Sequence, residues 1–270
     1  MLMQFVRVLL FAIVSTLASC DSALNPPPKG HIELGAAQKM AIGKKIWVNE
    51  CGGTIEGLTT WNEGEEFPSI GIGHFIWYPQ GFKGRFRESW PQFLAYAKAR
   101  SNPPPAWTHG VCPWNSKAAF ERDFNGRRLT ELRRWLMTTI SLQTDFIIER
   151  SLASLPKVLA AAPASERARI EANYHKVAST PQGVYALIDY VNFKGDGTLV
   201  SERYKGQGWG LMQVLGNMRQ VPEGPAAATE FGHTAFRMLE RRIDNSPPER
   251  GEQRWRDGWR NRCMTYTRPL

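Results

Sequence analysis

Residues 54–77 break an otherwise helical pattern, and this break most limits the folds open to the chain. The segment is rich in Thr, Ile and Trp and carries the turn Asn62-Glu63-Gly64. It then runs into Ser69-Ile70-Gly71-Ile72-Gly73-His74-Phe75-Ile76-Trp77. β-branched and aromatic residues between Gly- and Asn-based turns read as short strands. Before the break, residues 36–51 carry apolar positions at helical spacing and stop at Gly52-Gly53, a helix-ending signal. After it, helices are expected at about 89–100, 116–124, 127–138, 142–161, 165–178, 180–192, 208–219, 225–244 and 249–263. Pro156 should kink or split the fourth of these. No internal repeat and no clear boundary divides the pattern. The expected class is α+β and mostly helical, with a small β hairpin set early in a helical body.

The first residues read as a targeting signal. Arg7 is the only charge before the apolar run from Val8 to Ala18. That run is too short to span a bilayer and fits the core of a signal peptide. It ends in Leu17-Ala18-Ser19-Cys20, which resembles the lipobox of bacterial lipoproteins. The resemblance implies loss of residues 1–19, lipidation of Cys20 and a lipid anchor in the inner or outer membrane of a bacterial envelope, facing the periplasm. An ordinary secretory signal containing a Cys is the alternative. Residues 20–33, with Pro26-Pro27-Pro28, read as an extended tether, and 34–270 as the folded part.

Export permits a disulfide. Among Cys51, Cys112 and Cys263, the expected bridge is Cys112–Cys263, which would tie a loop to the C-terminal region. Cys51 would be a buried thiol. His31, His74, His109, His175 and His233 are scattered and no CxxC or HxxxH spacing occurs, so no metal and no other cofactor is expected. With 34 Lys+Arg against 25 Asp+Glu, the formal charge is +9. Arg127-Arg128, Arg133-Arg134, Arg241-Arg242 and the tail residues Arg250, Arg254, Arg256, Arg260, Arg262 and Arg268 make basic helix faces. Such faces attract polyanions. For an exported chain these are cell-wall polymer or lipid headgroups rather than nucleic acid, and a solvated helical surface fits equally well.

The chemistry concentrates in residues 42–78. Glu50 shares a helix face with Trp47, Ile46, Gly43 and Ile42. A carboxyl capping an apolar stripe is desolvated, which raises its pKa and suits it to general acid work. Glu63, Glu65 and Glu66 precede a strand on which Gly71 and Gly73 alternate, leaving one face open to close approach by a ligand or another backbone.

This ordered set resembles the catalytic hairpin of phage-type lysozymes, within the lysozyme-like superfamily. The carriers are a helix ending in Glu50, an acidic turn, and Ser69-Ile70-Gly71-Ile72-Gly73-His74. The resemblance implies Glu50 as general acid and a second acid six residues before Ser69, which is Glu63. Glu65 can share a face with Glu63 and competes for that role. It further implies Ser69, in place of the family's Thr, as a water-positioning group, and His74 as part of the hairpin. Glu56-Gly57-Leu58 is a rival match for the family's Glu-Gly-Leu, but it falls in the predicted β region. The implied activity is cleavage of peptidoglycan glycan strands, which needs two carboxyl groups across the scissile bond.

A second constellation lies downstream. Tyr185, Asp189 and Asn192 fall on one helix face. Tyr204 and Trp209 sit in a Gly-rich run that ends Gly210-Leu211-Met212-Gln213, which resembles a short motif of lytic transglycosylases. The candidate substrate contacts are Trp61, Trp77, Tyr78, Asp189, Asn192, Tyr204, Trp209 and Gln213, with core packing the alternative for the aromatics. Three functions follow: a muramidase-type hydrolase, a lytic transglycosylase acting on the same bond, or a wall-binding lipoprotein without activity.

Overall fold

The computed structural model describes residues 34–84 and 86–270. The expected signal peptide, Cys20 and the Pro-rich tether lie outside them. Helix α1, Ala36–Cys51, buries Ile42, Gly43 and Ile46. Gly43 is a close-approach point, since a Cβ there would lie 2.3 Å from Thr144 Oγ1. Gly52 ends the helix in the left-handed region, φ 61, and its N–H donates to the Val48 carbonyl at 3.1 Å. This glycine-capped end holds Glu50 in the last turn, facing the rest of the body.

A 3-10 turn, Glu56–Leu58, leads into three two-residue strands: β1 (Thr59–Thr60), β2 (Ser69–Ile70) and β3 (Phe75–Ile76). They form one antiparallel sheet in that order, with Thr60 opposite Ser69 and Ser69 opposite Ile76. The β2–β3 turn places Gly71 at φ 73 and His74 at φ 44. It is pinned from below by Gln143, whose Oε1 accepts the Ile72 N–H at 2.8 Å. A Cβ on Gly71 would come 2.4 Å from that oxygen, and one on Gly73 would come 2.6 Å from the Phe75 ring. The two glycines therefore make room for packing beneath the turn. They do not open a strand face to a ligand, as their alternation suggested.

Beyond the sheet run α2 (Trp90–Ala99), α3 (Lys117–Arg122), α4 (Arg127–Thr138), α5 (Ile140–Leu152) and α6 (Ser154–Ala161). The helix expected over 142–161 is split at Ala153, and Pro156 falls in the first turn of α6, where its missing N–H costs nothing. Aromatic packing ties the sheet to these helices. Phe75 stacks on Phe93 at 4.7 Å and meets Phe146 edge-on, while Trp77 is ringed by Trp90, Trp107 and Trp114.

The remaining helices are α7 (Ala164–Val177), α8 (Pro181–Lys194), α9 (Leu211–Asn217), α10 (Pro225–Asn245) and α11 (Arg256–Thr265). A two-stranded ribbon, β4 (Arg203–Tyr204) and β5 (Gln207–Gly208), precedes α9. Because residues 207–208 pair in this ribbon, the helix expected from 208 starts later. Thr180 caps α8, its Oγ1 accepting the Gly183 N–H at 3.1 Å. Every position of α8 from Gln182 to Val191 is buried, as in a helix surrounded on all sides. It packs against α1, α5 and α10, and α10 packs against α11. The C-terminal ends of α1 and α8 thereby meet α11. The architecture is α+β and mostly helical, with a small antiparallel sheet.

The expected Cys112–Cys263 bridge does not form. Cys51, Cys112 and Cys263 are all free, buried thiols. Cys112 is held beside the sheet, its N–H donating to the Tyr78 carbonyl at 3.2 Å, whereas Cys263 sits on α11 against α10. Burial pushes both thiols up to about 12, so they stay protonated and unreactive.

Candidate active site

Glu50 lies at the junction of α1, α8, α11 and the sheet. Its Oε1 accepts from Arg262 Nη2 at 2.6 Å and from Asn192 Nδ2 at 3.1 Å, and its Oε2 is 3.4 Å from His74 Nδ1. The Asn192 amide is oriented in turn by Arg150, which donates to its Oδ1 at 2.9 Å. Arg262 also grips Asp189 through two bonds, at 2.8 and 2.9 Å. Tyr266 donates to Asp189 at 2.5 Å and Asn49 at 3.3 Å. One guanidinium thus bridges two buried carboxylates from two helices, the planar fork geometry that suits Arg.

This pairing changes the charge expected of Glu50. Burial pushes its carboxyl up, but Arg262, His74 and Lys194 outweigh burial and hold it below the usual carboxylate range. Arg262 supplies most of that effect. His74 is itself pulled down by burial, against the upward pull of the Glu50 charge. Its other nitrogen lies 3.4 Å from Thr60 Oγ1. His74 therefore braces the hairpin against the end of α1, from a left-handed backbone conformation that non-glycine residues seldom adopt.

The two hairpin acids part company. Glu63 is fully exposed and paired with Lys117 at 2.5 Å on the outer side of the turn. Glu65 is partly covered. Trp61 Nε1 donates to its carbonyl at 2.7 Å and Asn62 Nδ2 to its Oε2 at 3.0 Å. Burial raises its pKa, the Asn62 bond and Lys194 lower it, and the charges of Glu66 and Glu50 add to the rise. Glu50 and Glu65 therefore lie close enough to sense each other, whereas Glu63 does not belong to this site. A third acid, Glu202, sits against Gly195 just past the end of α8. Burial and Asp196 push it up to about 7 against the pull of Arg242 and Arg87.

Several expected contacts fall elsewhere. Ser69 is buried within β2, which is no place for a group meant to hold solvent in an open groove. Trp77 is fully buried, with its Nε1 on the Gly110 carbonyl. Trp209 is buried beneath Arg242, and Tyr204 is buried with its hydroxyl on Glu252 at 2.9 Å. Trp61 is buried too and acts on Glu65 through its indole N–H. Gln213 Nε2 donates to Gly197 and closes the loop after α8. Tyr78 remains half-buried, bonded to the Phe86 carbonyl at 2.8 Å. Asp189 and Asn192 do reach the centre, both as partners that hold the Glu50–Arg262 pair. Two surface cavities, of about 410 and 620 Å³, lie over Arg127 and Arg134 and beside Thr60 and Phe124. Neither is lined by Glu50 or Glu65.

Arg262, Lys194 and Gln143 are the residues that sequence reasoning missed. Arg262 was legible only as one of many basic residues near the C-terminus. The available signal was its spacing on α11, where Trp259, Arg262, Cys263 and Tyr266 form a buried face at helical intervals. Comparison with models of known protein families, with curated proteins and with solved structures finds no match for this chain.

Proposed function

We propose that the protein cleaves the glycan strands of peptidoglycan, as a muramidase-type glycosidase of lysozyme-like fold carried on a lipoprotein anchored through Cys20. The observation that carries this reading is the Glu50–Glu65 pair. Two partly buried carboxyl groups, one on a helix end and one on the hairpin, have environments that push their pKa values in opposite directions, which is how acid and base roles are separated. The helix ending in Glu50 and the three short strands that follow it support the family resemblance.

The charges refine the roles. Glu50 is held ionised by Arg262, while Glu65 is raised, so on the acid side of neutrality there is an interval in which Glu65 holds a proton and Glu50 does not. In this reading Glu65 delivers that proton to the leaving glycosidic oxygen and the Glu50 carboxylate faces the developing cation at C1. Water or the sugar's own 6-hydroxyl then completes the reaction. Incubation of isolated sacculi with the protein should release muropeptide fragments, and Glu50→Gln should abolish release while binding persists. Fragment masses distinguish hydrolysis from formation of a 1,6-anhydro sugar, which is lighter by one water. Binding without release by the wild type would make this a wall-binding protein and overturn the enzymatic reading.

A further inference from the structure

Among the described residues, five large apolar side chains stand exposed, and three of them belong to α1 and the loop that leaves it. Met40 is 73% exposed, Val48 53% and Ile55 47%. Met40, Lys44 and Val48 follow one another at intervals of four and so share one face of the helix, with the exposed Ala37 a turn earlier. That face is turned away from Ile42 and Ile46, which α1 buries. Hydrogen bonds carry the patch past the helix end. The Gly53 N–H donates to the Trp47 carbonyl at 3.3 Å, and Trp47 Nε1 donates to the Thr54 carbonyl at 3.1 Å. Trp47, partly exposed beside Val48, is thereby strapped to the loop that presents Ile55.

The charge of this face has one sign. Lys44 stands exposed between Met40 and Val48. The one acid of α1, Glu50, is turned inward to Arg262. Met, Val and Ile side chains offer a sugar no hydrogen bonds. An apolar ridge with a lysine and no carboxylate instead suits a helix lying in the headgroup region of an anionic lipid surface. Chain position points the same way. α1 is the first helix described after Cys20, and the fourteen residues from Cys20 to the start of the described fold reach at most about 50 Å. A chain anchored at Cys20 therefore keeps this face within reach of the bilayer.

We propose that the outer face of α1, continued by Ile55, docks on the anionic phospholipid surface that holds the anchor and so sets how the body stands on the membrane. This rests on the lipoprotein reading above and goes beyond it, since a lipid chain alone tethers a protein without orienting it. The test uses the full chain, processed from its own leader and reconstituted into vesicles of phosphatidylethanolamine and phosphatidylglycerol. Val48→Cys and Val200→Cys each carry a polarity-sensitive thiol dye. Val200, 76% exposed, lies in the loop after α8. Cys51, Cys112 and Cys263 are buried and do not compete for the dye. The labelled proteins are expected to float with the vesicles. The dye at 48 should shift to shorter wavelength, while the dye at 200 keeps its aqueous emission. Adding Met40→Asp, an exposed position, should abolish the shift at 48 without releasing the protein from the vesicles. Flotation with no shift at 48, an equal shift at 48 and 200, or a shift that survives Met40→Asp overturns the docking and leaves the anchor standing. A shift that appears only when sacculi are added assigns the face to the wall and overturns the docking as well. Failure to float overturns both the anchor and the docking.

Discussion

At the scale of the residue, the site turns on Arg262. A buried guanidinium that serves two carboxylates cannot be removed without stranding both, and stranding a buried charge costs about 3–5 kcal/mol. Arg262→Met is therefore expected to lower stability by that amount in chemical denaturation at pH 7. Glu63→Gln, at the exposed Lys117 pair, should leave the midpoint unchanged. If Arg262→Met were as stable as the wild type, the buried bridge would not exist. The sign with pH follows from Glu50. Its lowered pKa means that its contribution is present above the ordinary carboxylate range and is lost as pH falls through the folded value. The sequence showed Glu50 as a carboxyl on an apolar stripe, and burial does push its pKa upward. The opposing cation lies 212 positions away, and periodicity carries no information about such partners.

At the scale of the element, the hairpin is the part most fully legible in advance. Gly-punctuated, β-branched sequence after a Gly-Gly stop marks a turn of chain direction whatever packs around it. The roles of its glycines were misread because local pattern reports a missing side chain and not what fills the space. Here the filler is Gln143, from α5. Gly71→Ala should be costly twice over, through a positive φ and through collision with the oxygen that accepts the Ile72 N–H. A loss of about 3 kcal/mol is expected. Gly206 also has positive φ, 76, but nothing surrounds it, so Gly206→Ala should cost only about 1 kcal/mol. Paired denaturation curves check this, and equal losses would mean that Gln143 does not pin the turn. Helix boundaries beyond the hairpin were readable where a cap or proline marks them, as at Thr180-Pro181. They were not where tertiary pairing competes, as in the ribbon at 203–208.

At the scale of the whole molecule, three helix ends and a small sheet converge on one buried ionic cluster. The basic surplus that suggested a polyanion-binding surface is partly spent inside the protein. Arg133, Arg242 and Arg262 are each less than one-tenth exposed. Two of the three bond carboxylates, and Arg133 bonds the backbone carbonyls of Phe124 and Leu129. Composition counts these charges without knowing where they sit, which is why the electrostatic reading from sequence was the weakest. The free thiols fit the same lesson, since a disulfide guessed from chain position ignores which layer each cysteine occupies. At this scale the proposed glycan cleavage becomes a pH-bounded activity, set by two acids of opposite displacement. The decisive measurement is the rate of fragment release from sacculi against pH for the wild type and Glu65→Gln. The account predicts a bell with its maximum on the acid side of neutrality, falling on the alkaline limb as Glu65 loses its proton and on the acid limb as Glu50 gains one. Glu65→Gln should reduce the rate at least about a hundredfold and remove the alkaline limb. A rate that climbs through neutrality, or a Glu65→Gln variant that digests sacculi like the wild type, would contradict it.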